Sequence, residues 1–189
     1  MTTFDQLNDA EKAAACEHHR YWNVEHFEWW DCEEENLKAD LKEVGFDVDK
    51  VFFSGFACQG DGASFTGHIC DHELWLRFRK MGRFAFTAPE IITMQDCWWS
   101  VKIKQDGRYF HDGTMSCEEE WGGDHIHGDA VEEIADDCLE WCKERARKYY
   151  KELDDQYYYL ISDEAIGESL ECNETDLSEF VEDDMAEAA

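Results

Sequence analysis

Positive charge is what this chain most conspicuously lacks. Its 189 residues hold 17 Lys and Arg against 46 Asp and Glu, a formal net charge of −29. Phosphate contacts need Lys and Arg, so the deficit argues against binding bare nucleic acid or an anionic membrane. Proline is nearly missing as well: Pro89 stands alone and interrupts whatever element precedes it. No apolar run approaches the ~18 residues that a membrane-spanning helix requires. No C-x-x-C pair occurs among the nine scattered cysteines (16, 32, 58, 70, 97, 117, 138, 142 and 172), which disfavours a disulfide scaffold and fits reduced, mostly buried thiols. The opening MTTFDQLNDAEKAAACEHHR is polar and acidic and offers no secretory apolar core. Together these absences lead us to expect a cytoplasmic protein, and the host's cytoplasm if the chain is viral.

What is present is enough to fold. The composition is 43% hydrophobic and 14% aromatic, with eight Trp, too apolar for a disordered chain despite its charge. Asn8 or Asp9 is placed to cap a first short helix, and Asp31 a second over CEEENLKADLKEV, with Gly45 as its C-terminal stop. VFFSGFAC (51–58) and ASFTGHIC (63–70) predict an antiparallel hairpin around QGDG, since Asp-Gly readily turns a chain. WWSVKIKQ and RYFHD flank a second Asp-Gly, Asp106–Gly107, and predict another hairpin, with TMSCEEEW as a further strand. From Asp129 the period becomes helical. Val131, Ala135, Cys138, Cys142, Ala146, Tyr149 and Leu153 form one apolar stripe on a helix of ~25 residues, about 37 Å long. Ser162 then precedes one more short helix. The expected fold class is α+β, an antiparallel sheet of hairpins with helices on one face. The expected organisation is a single domain over 1–160, then an acidic helix and tail over 161–189.

Chemistry-bearing motifs are sparse. The glycines of QGDG lead into a strand rather than a helix, no Walker lysine follows, and Asp61 would repel phosphate, so Gly60, Asp61 and Gly62 read as a turn or recognition loop. Cys58 and Ser64 as nucleophiles, with His68, His111 or His125 as bases, have no local pattern such as G-x-S-x-G to join them, and no enzymatic activity is expected. Cys138 and Cys142 at i,i+4, with His125, His127, Cys70 and His72, make a conceivable zinc set, yet the two cysteines fall on the apolar stripe. No cofactor is therefore expected, and zinc binding remains an alternative. RFRKMGR (77–83) and KERARKYYK (143–151) are locally basic, with Phe78 and Tyr149 available in principle to stack on RNA bases; pairing with nearby carboxylates is the plainer reading.

The strongest pattern is the placement of acid. Glu132, Glu133, Asp136, Asp137, Glu140 and Glu144 lie opposite the apolar stripe, where residues three or four apart stand about 5–6 Å from one another. CEEE occurs at 32–35 and again at 117–120, and no Lys or Arg follows Lys151, while Glu152–Ala189 carries fourteen acidic residues. A cleft lined with Lys and Arg to receive DNA would attract such a surface. The expected function is non-enzymatic: binding and inhibiting a host nucleic-acid-binding protein of basic surface by imitating DNA. The alternative is an antitoxin-like protein that neutralises one toxin through the hairpin and tail.

FSGFACQGDGASFTG (53–67), preceded by WWDCEEENLKADLKEVGF, resembles a family of largely uncharacterised bacteriophage-encoded proteins, as does YYKELDDQYYYLISDEAIGESLECNE (149–174). The resemblance centres on the SGF-x-x-QGDGASF run. It implies a phage origin and, from members labelled antitoxin-like, a protein partner; it brings no catalytic residues.

Overall fold

The computed structural model describes residues 2–25, 28–69, 98–122 and 128–181. The basic stretch 77–83, Pro89, Cys70, His72, His125 and His127 lie outside them. The chain divides into two units: residues 1–31 with 153–189, and residues 32–152.

The second unit carries the sheet. Helix α3 (Asp31–Glu43) ends where Gly45 takes φ +87°, a left-handed value that releases the chain into β structure. Strands β1 (Phe46–Phe53), β2 (Ala63–Ile69), β3 (Trp98–Gln105) and β4 (Met115–Gly122) form one antiparallel sheet in the order β1-β2-β3-β4. Period-two burial follows from the pleat. Phe46, Phe65, Ile69, Val101 and Ile103 are fully buried, while Lys102 and Glu118 face out as cross-strand partners. Lys104 pairs with Glu118 on that outer face. The few cations are therefore used partly to offset acids within the sheet. A bulge between Val48 and Lys50 shifts the β1–β2 register. Helices pack on this sheet, so the α+β class expected from the sequence is the one observed. Long helix α4 runs Gly128–Leu160.

Two hairpin details differ from expectation. Strand β1 starts at Phe46, not Val51, and stops at Phe53, because the Asp61 carboxylate captures the N–H groups of Ala57 and Cys58 at 3.1 and 2.7 Å. Residues 54–62 thus form an organised loop, longer than the QGDG turn expected. RYFHD is not a strand either; the hairpin partner of β3 is β4. The Gln105 side-chain amide donates to the Tyr109 carbonyl at 2.6 Å, and the Thr114 hydroxyl donates to the carbonyls of Tyr109 and His111. These side chains hold 106–114 in a loop that a strand ladder would otherwise compete for.

In the first unit, α1 (Asp9–His18) begins with a capping box: Asn8 Oδ1 accepts from the N–H groups of Ala10 and Glu11, and Glu11 accepts from the Asn8 N–H. A short helix α2 (Trp22–Glu25) follows. Helix α5 (Asp163–Cys172) is capped by Ser162, as its sequence suggests. Leu7, Ala15, Cys16, Ile166, Leu170 and Leu177 form the core, flanked by Phe4, Trp22 and Phe180. Buried Asn23 donates to the Leu160 carbonyl and accepts from the Ser169 hydroxyl, so its amide is satisfied.

Candidate functional site

Helix α4 sorts its residues by burial in the way an amphipathic helix must. Within the second unit, Ile134, Ala135, Cys138, Trp141, Cys142, Ala146 and Tyr149 are buried. Ile134 and Trp141 widen the stripe beyond the residues that the sequence spacing picked out. Glu132, Asp136, Asp137, Glu140 and Glu144 are exposed; the side chain of Glu133, like that of Val131, lies outside the described residues. The acidic row is not uniformly bare. Glu140 accepts Lys143 at 2.7 Å and lies 3.9 Å from Arg147, whose Nε donates to Asp112 at 2.7 Å. Part of the locally basic 143–151 segment thus pairs with acids. Tyr149 is 1% exposed, so its ring is not available to stack on a base.

Below the acidic row, α3 and α4 enclose a cavity of about 260 Å³ lined by Glu33, Asn36, Asp40, Arg145, Lys148 and Glu152, with Leu37 and Tyr149 also contributing. Its charges largely cancel: Lys148 pairs with Glu152 at 3.2 Å, and the Arg145 guanidinium lies over the Trp141 ring at 5.2 Å.

The QGDG loop is brought against the β3–β4 connection. Gly60, at φ +110°, lies under the Tyr109 ring, and a Cβ on Gly62 would stand 2.5 Å from His111 Cβ. Phe56 stacks on Tyr150, whose hydroxyl donates to the Gly55 carbonyl at 2.8 Å. Asp61 is the organising residue, holding Ala57 and Cys58 as a cap holds a helix end. Asp61→Ala is expected to cost about 1–2 kcal/mol, measured as a lowered urea midpoint with an unchanged slope.

The other candidates are dispersed. Cys58 is exposed in the loop and Ser64 is buried in β2; among the described residues neither hydrogen-bonds a histidine. His68 lies 4.0 Å from Asp47 on the outer face of the sheet. Burial pushes the Cys138 thiol up to about 12, with Asp137 and Cys117 adding to it, and raises Cys142 as well. Such thiols stay protonated and inert near neutral pH.

A different cluster, which the sequence reading passed over, lies in the first unit. One donor atom each from His18, His19 and Glu179 lie within 4.8 Å of one another, and neither Cys138 nor Cys142 belongs to any such group among the described residues. Burial, then the neighbouring His18, lowers the pKa of His19. The histidine doublet was legible; Glu179, 160 positions on, was not.

Residues 29–163 match a family described as a domain of unknown function (DUF8835). No curated protein and no solved structure matches the chain.

Proposed function

We propose, for a chain that belongs to this family of unknown function, a non-enzymatic role: binding a basic protein surface in place of nucleic acid. The observation that supports it is the set of exposed carboxylates Glu132, Asp136, Asp137, Glu140 and Glu144 on the solvent face of one rigid helix. From 132 to 144 that helix rises ~18 Å. One carboxylate per ~4 Å is sparser than a DNA duplex and comparable to the 3.4 Å axial spacing of phosphates along one strand. A groove that tracks a single strand is accordingly the better fit among basic partners. The resemblance of 53–67 and 149–174 to phage-encoded proteins makes a host nucleic-acid-binding factor, such as a defence nuclease, the natural target.

A second reading is favoured by the loop 54–62 with its neighbour Tyr109, which is 53% exposed. An ordered loop beside an exposed aromatic suits specific recognition of one protein, as an antitoxin-like inhibitor would require.

The quadruple variant E132Q/D136N/D137N/E144Q separates the two. In a nuclease-treated bacterial lysate at low salt, the wild type is expected to capture a nucleic-acid-binding protein that is released by added single-stranded DNA or by high salt. The variant, checked for an unchanged circular dichroism spectrum, is expected to bind at least tenfold more weakly. Equal affinity for the partner after neutralisation would remove the acidic row from recognition and favour the loop.

A further inference from the structure

We propose that His18, His19 and Glu179 form a binding site for a divalent transition-metal ion, zinc above all, outside the region that defines the family. Two imidazoles and a carboxylate are a usual three-ligand zinc set that leaves a fourth position for water or a partner's side chain. Nitrogen donors also select against magnesium and calcium, which prefer oxygen. The three donor atoms already lie within 4.8 Å of one another. Bond lengths near 2.0–2.2 Å put zinc ligands about 3.3 Å apart, so the donors would draw together by an ångström or so on binding.

The backbone holds this arrangement in place from both ends of the chain. His18 is the last residue of α1, and the His19 N–H donates to the Ala15 carbonyl at 3.0 Å. Glu179 sits in a 3₁₀ turn, Ser178–Phe180. That turn is tied to the N-terminal segment: the Leu177 N–H donates to the Thr2 carbonyl at 2.9 Å, and Asp176 accepts from the Thr2 N–H at 3.0 Å. Leu177 is fully buried. The Phe180 ring meets both imidazoles edge-on, at 5.5 and 6.1 Å, and restricts their planes.

An independent observation points to a ligand here. His19 Nε2 is buried and has no hydrogen-bond partner among the described residues. A buried polar atom left without one costs about 1–3 kcal/mol and calls for an explanation. A bound cation coordinated by that nitrogen supplies it.

The test uses untagged, chelator-treated full-length protein at physiological salt, titrated with zinc by calorimetry and with cobalt by absorption. One saturable equivalent is expected. The cobalt spectrum should show ligand-field bands without the intense thiolate charge-transfer that cysteine ligation would give. His18→Ala and Glu179→Gln alter exposed side chains; each is expected to weaken zinc binding at least tenfold and to remove the zinc-dependent rise in Tm. Unchanged affinity in both variants, a thiolate-type spectrum, or uptake no tighter than for magnesium would overturn the proposal.

Discussion

Gly67→Ala is expected to destabilise the sheet strongly for a single added methyl. Gly67 sits in β2, paired with Val48 on one side and Ile103 on the other. A Cβ there would stand 2.2 Å from the Asp47 carbonyl oxygen and 2.5 Å from Phe46 Cε1. Neither neighbour can yield easily. The first is backbone beside the β1 bulge, and Phe46 is fully buried, edge-on to Phe65 at 5.5 Å. Overpacking of a well-filled core costs about 1–3 kcal/mol, and a clash with backbone belongs at the top of that range or above it. Urea unfolding followed by tryptophan fluorescence should show a loss of about 3 kcal/mol. Gly107→Ala is the control: φ is +92° but nothing lies within 4 Å of the new methyl, so only the left-handed backbone is penalised, by about 1 kcal/mol. Equal losses in the two variants would mean that β1 does not approach β2 as described.

Tyr149→Ala is expected to cost about 3–5 kcal/mol, the range for deleting a fully buried aromatic ring. Tyr149 is 1% exposed and borders the cavity between α3 and α4, where Leu37 is also buried. Truncation would enlarge that cavity, and polar side chains around it give little means of collapse. Tyr149→Leu should recover more than half of the loss by restoring apolar volume. A loss below 1 kcal/mol for Tyr149→Ala would show that the ring is solvent-exposed, and would return the 143–151 segment to the status of a nucleic-acid surface.

Legibility followed the range of the interaction. The caps of α1 and α5 were readable because Asn8 and Ser162 act on backbone three residues away or fewer; Asp31, expected to cap α3, is instead its first residue. Helix α4 was readable through its apolar period, but only to Leu153. Beyond that the residues are half-buried or exposed until Ser162 caps the next helix, so the helix continues to Leu160 without a stripe to announce it. The hairpin partner of β3 was misread because RYFHD has the composition of a strand. It is held as a loop by side-chain bonds from Gln105 and Thr114 that composition does not reveal.

By itself, then, the sequence determined the α+β class, the capped helices, the β1–β2 pairing and the sign and distribution of charge, all set by local periodicity or simple counting. Tertiary structure decided the rest. It buried Tyr149, set the QGDG loop against Tyr109 and His111, paired Arg147 with Asp112, and brought Glu179 to His18 and His19 across the length of the chain. Contacts between distant residues depend on how whole elements pack, and no spacing along the chain encodes them.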